Sequence, residues 1–213
     1  MTKPSAAKQA IFREPHPLAL ELLQRIDRRS KVLEIGPGSG RNFAALISKA
    51  DVTAIESEKS RAGALQTDFP DHSECILSGS YAGLPFEDRS FDTVLSTHAL
   101  LHGTPDDITL LLKEIARVSG QNALLFITFG SIADARFGKG TQLGPQCFAP
   151  GDGDEAGVAH SYFTQSQVRS LLRDFTIERL NECTVDAIAG TWAHPGQPLH
   201  DAVHWFVVAR KAR

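Results

Sequence analysis

The chain has 213 residues, 42% hydrophobic and 22% charged, with a formal net charge of −3. These values fit one globular domain, 1–213, with a substantial core and give no broad phosphate-binding surface. No apolar run is long enough to span a bilayer and the first residues lack a hydrophobic signal core, so a cytoplasmic protein without nucleic-acid or membrane partners is expected.

Residues 15–28 set Leu18, Leu22, Leu23 and Ile26 at helical spacing behind Pro15 and Pro17, within an N-terminal helical segment taken as 1–30. The run 32–35 reads as a first strand. A turn containing Gly36, Gly38 and Gly40 then opens a helix from about 40 to 49. A second strand, 52–55, is followed by Glu56, and Ser57 is placed to cap the next helix. Residues 74–77 and 91–96 read as the third and fourth strands, the latter apolar enough to be covered on both faces.

Thr104-Pro105-Asp106-Asp107 combines a capping hydroxyl, a first-turn proline and two acids, so a helix starts there. Its apolar stripe is Ile108, Leu111, Leu112 and Ile115, with Gly120 as the expected stop and 123–129 as a fifth strand. This alternation predicts parallel βαβ units with right-handed crossovers. The rhythm breaks at Gly130, and 131–163 and 181–203 are read as loop or lid insertions. Between them, Thr164 and Gln167 have capping-box spacing before a helix through Val168, Leu171 and Leu172. Residues 175–180 and 204–209 read as closing strands, with antiparallel pairing across a long connection left open. Cys75, Cys147 and Cys183 are odd in number and lack C-x-x-C spacing, which favours free thiols.

The glycine turn asks for a nucleotide-like ligand. A dinucleotide turn, G-x-G-x-x-G, needs a third glycine where this chain has Arg41. The pattern here is E-x-G-x-G-x-G from Glu34, with Glu56 twenty residues past Gly36. That carboxylate can accept hydrogen bonds from both hydroxyls of a ribose, although NAD enzymes use an acid in the same place.

The blocks VLEIGPGSGRN, VTAIESEKS, LPFEDRSFDTVLSTHALLH, RVSGQNALLFIT and YFTQSQVRSLLRDFTIERLNE, in that order, resemble the class I S-adenosylmethionine-dependent methyltransferases. The resemblance implies an α/β, Rossmann-like, seven-stranded sheet, mostly parallel, with helices on both faces and the last strand antiparallel. It implies S-adenosyl-L-methionine as cofactor and S-adenosyl-L-homocysteine as product. By the same resemblance Gly36, Pro37 and Gly38 lie beside the methionine moiety and Glu34 orients its amino group. Glu56 holds the ribose and Ser57 borders the adenine. Ser80 stands where many relatives carry an adenine-binding Asp, Tyr81 is placed to cover the ring, and Thr97 borders the methionine moiety and the transferring methyl.

The sulfonium methyl is already activated, so the protein mainly has to align an acceptor, which can supply roughly 7–11 kcal/mol of the barrier. A base is needed only for a protonated acceptor. His98 is the candidate, weighed against a packing or hydrogen-bonding histidine. His98 and His102 have H-x-x-x-H spacing, but Ala99 replaces the glutamate of zinc enzymes and no third ligand lies near in sequence, so no metal is expected. His102, His160, Tyr162 and Trp192 are the candidates for an acceptor pocket, whereas Trp205 and Phe206 read as core. The sequence thus points to methyl transfer to a small-molecule acceptor and leaves the oligomeric state open. The rivals are a non-catalytic S-adenosylmethionine-binding regulator and an NAD-dependent oxidoreductase.

Overall fold

The computed structural model describes residues 14–153, 155–184 and 201–212. Five strands run parallel, as expected for chain reversals made through helices. These are β1 (Lys31–Ile35), β2 (Asp51–Glu56), β3 (Ile76–Ser78), β4 (Phe91–Ser96) and β5 (Ser119–Ser131). The last strand, β10 (Val203–Lys211), pairs antiparallel with both β5 and β9 (Phe175–Thr184), giving the spatial order β3-β2-β1-β4-β5-β10-β9. The expected seven strands and antiparallel last strand are therefore present.

Alternating side chains fill both faces. On β5, Leu125, Ile127 and Phe129 join one apolar cluster with Ile108, Leu111, Leu112 and Ile115 of the helix Pro105–Val118 and Val168 of the helix Gln165–Leu171. Phe126, between them, faces the other cluster, formed by Leu18 and Leu22 of the helix Pro17–Leu23, Phe43 of the helix Arg41–Leu46 and Leu65 of the helix Lys59–Asp68. Trp205 and Phe206 divide between the two faces in the same way, and the Trp205 indole donates to the Phe163 carbonyl at 2.8 Å. In chain order these helices are α1 (Pro17–Leu23), α2 (Arg41–Leu46), α3 (Lys59–Asp68), α4 (Pro105–Val118) and α5 (Gln165–Leu171).

Several boundaries differ from the sequence reading. The segment expected as a lid, 131–163, contains β6 (Thr141–Gly144), β7 (Cys147–Ala149) and β8 (His160–Phe163), which pair antiparallel in sequence. β5 outruns β4, whose last residue Ser96 stops opposite Ile127, and β8 covers the exposed end by pairing Tyr162 with Gly130 and Phe163 with Ser131. β9 carries strand to Thr184, inside the second expected lid, 181–203. Of that lid, 185–200, with Trp192, lie outside the described residues, as do 1–13 of the expected N-terminal segment. Glu58, not Ser57, precedes α3, and α4 ends at Val118 ahead of Gly120. Among the described residues no helix is long and apolar enough to cross a membrane.

Strand order reverses between β1 and β4, whose carboxyl ends lie side by side. Open α/β sheets hold their ligands at such a switch point.

Candidate functional site

Beyond the end of β1 the chain must turn sharply under close neighbours. Gly36 has φ +70°, and a Cβ there would lie 2.7 Å from the Ala99 Cβ. Gly40 has φ +81°, and its Cβ would lie 2.4 Å from Leu65 Cδ1 and 2.9 Å from Phe69 Cε2. Gly40 thus provides the close helix packing that a dinucleotide turn assigns to a later glycine, and Arg41 is accommodated as the first residue of α2.

The turn forms part of the wall of a cleft of about 730 Å³. On its β2 side the cleft is bordered by Gly38, Glu56, Ser57, Ser80 and Tyr81. Glu56 Oε2 accepts from the Gly38 N–H at 3.3 Å, while Oε1 accepts from the Glu58 N–H and the Ser57 hydroxyl at 3.3 Å and from the Tyr81 hydroxyl at 3.5 Å. All four contacts are at the long end of the hydrogen-bond range, which leaves the carboxylate able to take the stronger donors of a vicinal diol. Burial, reinforced by Glu56, raises the Tyr81 pKa and keeps it a phenol. The Ser80 hydroxyl accepts from the Ala82 N–H at 3.1 Å, so it braces its own turn.

Glu34 projects beneath the glycine turn and is 2% exposed. Its Oε2 has no hydrogen-bond partner among the described residues, and burial raises its pKa to about 8 against the opposing pull of Asn42 and Arg41. A buried carboxyl oxygen without a partner is costly, and a cationic donor reaching it would relieve that cost. Asn42 braces this floor: its Oδ1 accepts from the His16 N–H at 2.9 Å and its Nδ2 donates to Thr97 Oγ1 at 3.0 Å.

The other side of the cleft is built from the ends of β4, β8 and β10. His98 takes φ +72°, anchored by its N–H to Thr128 Oγ1 at 2.9 Å, and its ring meets His204 edge-on at 5.2 Å. Burial, and then Arg136, lower the His204 pKa to about 4, so His204 is neutral. Its Nε2 lies 3.4 Å from Arg136 Nη2, and the same guanidinium is held on the Asp134 carboxylate, with Nε 2.9 Å from Oδ1.

The 3-10 turn Ala99–Leu101 separates the two histidines of the H-x-x-x-H pair. His98 meets His16 and His204, whereas His102 turns to His160. His102 Nε2 is 3.3 Å from Glu155 Oε1 and His160 Nε2 is 3.0 Å from Glu155 Oε2. Those hydrogen bonds, from His102 first and His160 second, hold the Glu155 carboxyl well below the usual carboxylate range. The third group missing from the sequence neighbourhood of His102 thus arrives from the 131–163 segment.

Glu34, Gly36, Pro37, Gly38, Glu56, Ser57, Ser80, Tyr81, Thr97, His98, His102 and His160 therefore converge on this cleft or directly beneath it. Tyr162 does not. It is 2% exposed and packs between Phe137 and Phe148 at centroid distances of 5.7 and 6.3 Å, because β8 turns that face inward. Arg136, Glu155, His204 and Asn42 are site residues that the sequence reading missed. The first two lie in a segment without periodicity, and only the fold brings His204 beside His98.

A family model described as a methyltransferase domain matches residues 33–127. The glycine/sarcosine/dimethylglycine N-methyltransferase of Actinopolyspora halophila is 24% identical over 127 residues, covering 56% of this chain but only 22% of its own length. Among solved structures, a SAM-dependent methyltransferase from Methanosarcina mazei superposes with TM-score 0.68 at 20% identity, covering 93% of this chain and 98% of that one. The Burkholderia thailandensis 1,6-didemethyltoxoflavin-N1-methyltransferase, solved with 1,6-didemethyltoxoflavin and S-adenosylhomocysteine, gives TM-score 0.67 at 18% identity, covering 93% of this chain and 78% of that one. Residues 33–127 thus carry a methyltransferase domain, set in a fold shared with S-adenosylmethionine-dependent methyltransferases of known structure.

Proposed function

We propose that the chain, acting as a single cytoplasmic domain, transfers the methyl group of S-adenosylmethionine to a small-molecule acceptor seated between His98 and the His102–His160 corner. The observation that carries this reading is one continuous cleft with two chemically different sides. One carries the loosely bonded Glu56 carboxylate, and the other is lined by imidazoles and a guanidinium. The relatives named for glycine-type and toxoflavin-type acceptors support a small molecule as the second substrate.

The bound cofactor supplies an electrophilic methyl on a sulfonium. Glu56 holds the ribose, Glu34 receives the amino group, and the backbone at Gly36 and Gly38 admits the methionine moiety without a side chain in the way. His98, beside the neutral His204, is placed to take a proton from the acceptor as the new bond forms. His102 and His160 border the acceptor, whereas the packing of Tyr162 against Phe137 and Phe148 argues against direct contact with it. Trp192 keeps its place as an acceptor-side candidate from the sequence alone.

Incubation with methyl-labelled S-adenosylmethionine and a small-metabolite extract tests this directly. Label should move to a low-molecular-weight product, and His98→Ala should lower that turnover at least ~10-fold while cofactor affinity stays within about twofold. Cofactor binding without any label transfer would instead make the chain a regulator.

A further inference from the structure

The His102–Glu155–His160 corner has more order than an acceptor wall requires. The chain is clamped there by a bridge between His102 and His160, by the Gly103 N–H on the Ala159 carbonyl at 2.8 Å, and by the Ser161 hydroxyl on the Gly103 carbonyl at 2.8 Å. The three side chains bring their ligand atoms within 4.8 Å of one another.

The hydrogen bonding at His160 shows what these atoms lack. Its Nδ1 faces the Val158 carbonyl at 2.8 Å, a partner that can only accept, so Nδ1 carries the proton. In the neutral ring the Nε2 lone pair then points at a carboxylate oxygen 3.0 Å away. A positive charge shared by these two atoms, carried by a proton or by a metal ion, satisfies both. The His102 and His160 rings stand 4.8 Å apart, edge to face, over one carboxylate. A single dication serves all three atoms at once.

From this geometry we infer that His102, His160 and Glu155 bind one divalent transition-metal ion at the acceptor side of the cleft. The N–O separations of 3.3 and 3.0 Å fit, since two ~2.1 Å metal–ligand bonds at a tetrahedral angle span about 3.4 Å. Two imidazoles and a carboxylate suit zinc, iron(II), cobalt or nickel and not magnesium or calcium. The Val158 carbonyl fixes the His160 tautomer from behind, as outer partners of ligating histidines do. The His160 side chain is 3% exposed, but those of Glu155 and His102 are 28% and 39% exposed, so the ion's remaining positions open to the cleft.

An open position there takes an acceptor with a chelating oxygen or nitrogen, and coordination makes such a group more acidic. Metal binding stands independently of methyl transfer, while this use of the ion rests on the function proposed above.

The test is titration of cobalt(II) into the full-length, tag-free, chelator-stripped protein, followed by visible absorption, with zinc(II) as competitor. One equivalent should bind and give ligand-field bands without a thiolate charge-transfer band. Glu155→Gln and His102→Ala, each checked for native circular dichroism, should weaken it at least ~10-fold. Absence of stoichiometric binding, unchanged affinity in both folded variants, or a thiolate band placing the ion on a cysteine each overturns the inference. Titrating the wild type with S-adenosylhomocysteine in parallel separates the two claims. S-adenosylhomocysteine binding without cobalt binding removes only the metal, and cobalt binding without S-adenosylhomocysteine binding removes only the methyl-donor reading.

Discussion

As the residue proposed to receive the cofactor's amino group, Glu34 would couple that site to pH. Its carboxyl is raised to about 8 by burial, so the ligand-free protein holds it protonated at pH 7. A bound ammonium favours the carboxylate and lowers that pKa, so binding releases a proton wherever the ligand-free carboxyl is still protonated. Cofactor affinity should therefore rise as pH goes from 6 to 7.5, by up to ~10-fold per unit, and calorimetry in buffers of differing ionisation heat should detect the proton. Glu34→Gln should flatten the profile, and an unchanged slope in that variant would place the titrating group elsewhere. The glycine turn at Gly36 and the acid Glu56 ending β2 were legible in the sequence because they belong to a local turn and strand end, whereas Glu34 was singled out through the family resemblance. Glu155 and Arg136 were not legible, since their distant partners His102 and His204 reach them only through the fold.

At the scale of elements, local signals served well where side chains cap their own helix. Thr104 and Asp107 form a reciprocal capping box, with the Thr104 N–H on Asp107 Oδ2 at 2.9 Å and the Asp107 N–H on Thr104 Oγ1 at 3.3 Å. Thr104→Ala should cost about 1 kcal/mol and lower the melting temperature by roughly 2–4 °C. No shift in calorimetry would mean that packing of the Ile108–Ile115 stripe alone sets this end. The short strands β6, β7 and β8 escaped because three or four residues show no usable alternation. β8 forms because β5 projects beyond β4 and leaves backbone groups to be paired, which is a tertiary cause. This same outrun carries His160 to His102.

At the scale of the molecule, the sheet order sets where chemistry occurs. The reversal between β1 and β4 opens the crevice, β2 brings Glu56 to one side, and β8 and β10 bring His160 and His204 to the other. The parallel βαβ units followed from the alternation of apolar runs and the strand count and antiparallel last strand from the family resemblance, but the histidine-lined side is assembled from chain segments dozens of residues apart. The close packing of Gly40 and the position of Arg41 favour S-adenosylmethionine over a dinucleotide. Calorimetric titration with S-adenosylhomocysteine and NAD, on the wild type and on Glu56→Ala, tests that account most directly. One equivalent of S-adenosylhomocysteine should bind the wild type, with at least ~10-fold weaker binding in the variant, about 1.4 kcal/mol, and NAD should give no heat. Binding of NAD alone, or equal affinity of both proteins for S-adenosylhomocysteine, would contradict it.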